Sequence, residues 1–242
     1  MLVLQQLMLE LMMLVLQQLM PDRTTAIASW TLIAISCFVL INPITILYHE
    51  TWAALLIALA LALWQMQRLW PAIIAAVIAA LIRELASPFL LLMCVAALWD
   101  RRWREAGYWL GGMAVVAIAL KFHADAVAQI VQPSDLASPG WHSRNGWPLL
   151  VLATQFGTPL ILAPRWLTLL LLPFALFGWA SWKHPLALRV SGLIFGFGMM
   201  VMLFARVQNF YWMLLTVPLL LAGLALALQA IIRLATAARA PH

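Results

Sequence analysis

Apolar residues in this chain come in long blocks, not in the stripe of a half-exposed helix or the alternation of a half-buried strand. The blocks 25–47, 52–67, 106–122, 166–182, 187–205 and 210–230 each read as an apolar helix. About 20 such residues cross about 30 Å of hydrocarbon. Between Pro71 and Trp99 the block is 29 residues long, with Arg83 and Glu84 near its centre. As one straight span it would put that pair near a bilayer midplane, where each charge costs on the order of 2.5–3.5 kcal/mol. Two short helices, 71–82 and 88–99, avoid the cost by placing Arg83-Glu84 at a tip, with Pro88 suited to the break. The pattern predicts an all-α, polytopic transmembrane helical bundle with about 6–9 membrane helices, including a short helical hairpin.

Composition agrees: 242 residues are 66% hydrophobic and 9% charged, with a mean hydropathy of +0.99, which excludes a water-soluble fold. The net charge of +6 comes from basic residues dispersed between apolar runs, so no nucleic-acid partner is expected. Cys37 and Cys94 lie inside apolar runs without partners at ligand spacing, so neither a disulfide framework nor a metal site is expected, and no cofactor. Residues 1–24 form a separate segment in which MLVLQQLM occurs at 1–8 and again at 13–20. It reads as a first span, as an amphipathic helix at the interface, or as the product of a shifted reading start; its ends do not suggest a cleaved signal. Residues 25–242 make up the helical domain proper.

Basic residues orient the spans. With the hairpin in place and 147–163 along the outer surface, nine basic residues fall inside: Arg23, Arg68, Arg101, Arg102, Arg104, Lys183, Arg189, Arg233 and Arg239. Five fall outside: Arg83, Lys121, Arg144, Arg165 and Arg206. A multi-pass protein of a bacterial inner membrane is the resulting expectation, with membrane lipids as its first partners. The outer rim then gathers Tyr48, His49, Glu50, Arg83, Glu84, Arg206 and Asn209. A guanidinium at the end of an apolar helix meets a lipid phosphate with a planar fork, which makes Arg83 and Arg206 candidate phosphate ligands; snorkelling or an ion pair with Glu84 or Glu50 is the structural alternative. Glu50 and Glu84 are the acids nearest the membrane and the candidate acid or base, with structural pairing as the alternative. His49 beside Glu50 lacks the further ligands that a metal needs. The Gly192-x-x-x-Gly196 spacing points to close helix packing.

The run HETWAALLIALALALW, the turn at Arg68 and PAIIAAVIAALIRELASPFLLLMCVAALWDRRWREA resemble the middle of bacterial GT-C membrane glycosyltransferases of the polyprenol-phosphate-sugar-dependent type. The matching features are Glu50 opening a helix, Arg83 at an external tip, Pro88 after it and the basic run Arg101-Arg102. FARVQNFYWMLLTVPLLLAGLAL resembles the final spans, with Arg206 and Asn209 in the places of an external Arg and Asn. The resemblance covers about residues 25–230 and corresponds to the C-terminal part of such an enzyme. It implies a polyprenyl-phosphate-sugar donor, a lipid-phosphate site at His49, Arg83, Arg206 and Asn209, and a carboxylate base. The family's acid-bearing first external loop has no counterpart here, so the resemblance implies the lipid-phosphate half of a site without its usual base. A non-enzymatic membrane protein, such as a subunit that docks on a helical partner or oligomer, is the alternative; a transporter would show a second copy of the 50–105 pattern, which is absent.

Overall fold

The computed structural model describes residues 22–40, 45–132, 134–135, 140–141 and 143–239, and all regular structure among them is helical. Nearly all of the expected 1–24 helix lies outside the described residues. The order is α1 (Arg23–Leu40), α2 (His49–Gln65), α3 (Leu69–Ile82), α4 (Ser87–Trp99), α5 (Trp103–Ala128), α6 (Gly146–Gly157), α7 (Arg165–Ser181), α8 (Pro185–Phe204), a 3-10 helix (Val207–Thr216), α9 (Val217–Leu220) and α10 (Gly223–Arg239).

Local chemistry sets several boundaries. Asp22 opens α1 as an N-cap, its carboxylate accepting from the Thr25 amide and the Thr25 hydroxyl, each at 2.8 Å. Those donors, the amide first, hold its carboxyl below the usual range. Gln229 adds a third at 2.6 Å and ties α1 to α10. The turns α2–α3 and α4–α5 share one device: Gln67 (φ 61°) and Arg101 (φ 57°) take the left-handed conformation. The next amides, of Arg68 and Arg102, reach back to the carbonyls of Leu63 and Ala97 at 2.8 Å.

The hairpin forms as expected. Helix α3 ends at Ile82, Glu84–Ala86 makes a 3-10 turn, and Pro88 occupies the first turn of α4. A Cβ built on Gly112 of α5 would stand 3.3 Å from Ile73 and 3.6 Å from Leu90. Residues 17 apart in sequence reach one glycine only if α3 and α4 fold back on each other; in a continuous helix they would be about 25 Å apart.

Among the described residues two helices, α5 and α8, are long and apolar enough to cross a membrane, and the bent pair Val207–Leu220 and Gly223–Arg239, at 55° to each other, gives a third if it is taken as one broken span. That is fewer than the six to nine expected. Helices α2 and α7 stop at 17 residues, and the hairpin arms, with 14 and 13, are shorter still. The last apolar block is likewise not one straight span. One side of α6 packs into the bundle: Leu149, Leu150, Val151 and Ala153 are buried, with Leu150 against Gly198 of α8, while Trp147 and Phe156 stay exposed. Large apolar side chains nonetheless cover the outside, among them Ile74, Leu91, Leu110, Ile118, Phe122 and Phe195. Such a surface has no counterpart in monomers that live in water.

Glycine packing falls differently from its spacing. Gly192 is tight against Leu92, but Gly196 faces open space. The closest crossing joins α7 to α10, where a Cβ on Gly178 would lie 1.7 Å from the Gly223 carbonyl oxygen.

Candidate functional site

Helices α2 and α3 pack antiparallel and bring Glu50, in the first turn of α2, to Arg83, the residue that ends α3. Arg83 Nε stands 2.6 Å from Glu50 Oε1, and Arg83 Nη1 stands 3.4 Å from Glu84 Oε1. The Nε–H does not align with the Glu50 oxygen, so charge rather than a directed hydrogen bond holds the pair. Glu50 is 3% exposed, Arg83 22% and Glu84 54%. A carboxylate this buried is stable beside its arginine and costly without it. Glu50 thus fixes Arg83 at the hairpin tip, while Glu84 faces out.

The second set of candidates arrives from the other half of the chain. Ring stacking of Tyr48 on Tyr211, with centroids 5.4 Å apart, joins the start of α2 to the 3-10 helix. Asn209 Nδ2 donates to the Tyr211 hydroxyl at 2.9 Å. Arg206 sits just before that helix, where Ser143 and Asn145 both donate to the carbonyl of Ala205. Arg206 Nε and Asn209 Oδ1 are buried and make no hydrogen bond, and Arg206 has no acidic partner among the described residues. His49 is exposed, and no group of three metal-ligating side chains occurs among the described residues. The structure therefore gathers Glu50, Arg83, Glu84, Arg206 and Asn209 at one end of the bundle, with Tyr48 and Tyr211 between the two pairs. Tyr48 belongs to the rim expected from the sequence; its stacking on Tyr211 across 163 residues carries no sequence signal.

A second polar centre lies at the opposite end. Arg189, expected to flank α8 in water, has a fully buried side chain. Its Nη2 pairs with Asp100 Oδ2 at 2.7 Å, its Nη1 donates to the Pro185 carbonyl at 3.0 Å, and its guanidinium lies 4.0 Å from the Trp64 ring centroid. Trp64 Nε1 donates to Glu105 Oε1 at 2.7 Å, and Arg102 Nε stands 2.8 Å from Glu105 Oε2. The ends of α2 and α4 and the beginnings of α5 and α8 meet here. Its chemistry is that of a clasp.

The turn into α8 is capped by His184, whose Nδ1 accepts the Leu186 amide at 3.1 Å and whose ring stacks on Trp182. Burial lowers its pKa from the usual 6.5, so the unfolded chain binds this proton more readily than the folded one. Stability is then complete above about 6.5 and falls as pH drops below it toward the folded pKa. The loss expected on full protonation is about 1 kcal/mol, the worth of an N-cap. Unfolding at pH 7 and pH 5 measures it, and His184→Gln should flatten that part of the profile.

Compared with known protein families, with curated proteins and with solved structures, the chain matches none.

Proposed function

We propose that this chain is a multi-pass protein of a bacterial inner membrane whose outer end binds the phosphate of a membrane lipid, in the manner of the lipid-phosphate half of a GT-C glycosyltransferase. The observation that carries it is Arg206: a guanidinium with a buried, unpartnered Nε and no acidic partner among the described residues, at the same end as Arg83. A phosphate supplies the missing acceptors and the missing charge. Arg83, held from behind by Glu50 and with Nη1 toward Glu84, keeps Nη2 for a second contact, and the stacked Tyr48 and Tyr211 join the two elements that carry the arginines. Sugar transfer additionally needs a base. Glu50 is committed to Arg83, which leaves Glu84, half exposed, as the carboxylate able to take a proton.

The test is native mass spectrometry of the detergent-purified protein with a polyprenyl phosphate. The natural chain should retain the lipid, and Arg206→Ala and Arg83→Ala should each weaken retention at least roughly tenfold, the worth of a charge-assisted hydrogen bond. Retention unchanged in both variants would overturn the proposal. Retention with measurable sugar transfer that Glu84→Gln abolishes would extend it to catalysis. A helical partner subunit is the second reading, favoured by Gly107 and Gly111 of α5, both of which face open space.

A further inference from the structure

Between α7 and α10, at the end away from Arg83, runs a groove of about 320 Å³. Phe177, Leu226 and Leu234 give it apolar walls, and Ser181, Trp182, Gln229 and Arg233 supply its polar groups. The rim lies at the end that carries the Arg189 clasp, because α7 finishes at Ser181 and α8 starts at Pro185. Charge there is mainly positive: Lys183, Arg233 and Arg239 are exposed, and Arg23 stands beside Asp22, whose carboxylate accepts from Gln229 of the groove. Asp22, the acid nearest this rim in the bonding pattern, already accepts from Thr25 twice and from Gln229. Arg233 has no acidic partner among the described residues.

We infer that this groove binds an anionic phospholipid of the inner leaflet, with the phosphate on Arg233 and an acyl chain along Phe177, Leu226 and Leu234. The division of the groove argues for a lipid rather than a soluble phosphate. A free phosphate would use only the rim, whereas the walls offer an apolar surface continuous with the lipid-facing side of α7 and α10. An arginine in the last two turns of α10, lining the same groove as the indole that follows α7, also matches the depth at which headgroups lie. The site is independent of the outer one, and either can fail without the other.

The experiment measures retention of phosphatidylglycerol and of phosphatidylcholine by the full chain in detergent, again by native mass spectrometry. Phosphatidylglycerol should be held about fivefold more tightly, the preference that one arginine near an anionic headgroup provides. Arg233→Gln should bring the two lipids to parity, Arg233→Lys should keep most of the preference, and Leu234→Gln should weaken both lipids together. Both positions are exposed, so the variants should fold; elution as a single species checks this. Equal binding of the two lipids by the natural chain, or an undiminished preference in Arg233→Gln, would overturn the inference. Competition by soluble glycerol phosphate at the same concentration would overturn it too, by assigning the rim to free phosphate.

Discussion

Replacing Asp100 by alanine should destabilise the protein by about 4 kcal/mol, because it strands a guanidinium that is fully buried and has its principal partner only there. Arg189→Leu should cost less, about 3 kcal/mol, since the charge it orphans belongs to Asp100, whose side chain keeps 31% of its exposure and can turn to water. That variant also loses the stacking on Trp64 and the bond to Pro185. The double variant should cost clearly less than the two losses added, because neither charge then lacks a partner. Unfolding in mixed detergent micelles, followed by tryptophan fluorescence, gives the three values. Additive losses, or Arg189→Leu worse than Asp100→Ala, would show that the clasp is held by something other than this ion pair.

Gly178→Ala should be equally severe, for a steric reason. The added carbon would stand 1.7 Å from the Gly223 oxygen and 2.6 Å from the Ala227 nitrogen, against an optimum of about 3.5–4.0 Å between carbon atoms. Both obstacles are backbone, so no side chain can swing aside and α7 must move off α10. The expected loss is about 3 kcal/mol, the upper end for overpacking, with little folded protein recovered. Gly223→Ala, which meets the Ala175 oxygen at 2.1 Å, should behave alike. Gly196→Ala meets nothing within 4 Å and should leave the yield unchanged or slightly raised. Folded yield by size exclusion compares the three variants; normal yield of Gly178→Ala would mean that the two helices do not cross there.

These two expectations also mark where the sequence was readable. The hairpin was legible because one stretch joined three local signals: excess length, a charged pair in its middle and Pro88 just after. The Glu50–Arg83 pair was one of the alternatives, since a buried acid at a helix start and an arginine at a tip have few other partners. The clasp was not legible. Arg189 and Asp100 lie 89 residues apart, and along the chain each looks like an ordinary charge flanking an apolar run. The Gly178–Gly223 crossing was equally hidden, because its glycines belong to different helices and form no spacing motif, whereas the visible motif at Gly192 and Gly196 is half unused. The number of spans was overestimated because, among the described residues, α2 and α7 have 17 residues each and the hairpin arms 14 and 13, short of the about 20 that a crossing needs, and the bend before Gly223 divides the last block.

The short hairpin beside the long α5 has a consequence for the surrounding bilayer. Fourteen residues of α3 rise about 21 Å and the 26 of α5 about 39 Å, whereas the hydrocarbon layer is about 30 Å thick. One flank of the protein is thus too thin for its membrane and the adjacent flank too thick. A bilayer meets such a mismatch by tilting the long helix and by dimpling over the short one, at fractions of a kcal/mol for each Å. The dimple centres on the hairpin tip. If Arg83 binds a lipid phosphate as proposed, such a dimple would bring headgroups down to it without the tails having to leave the leaflet.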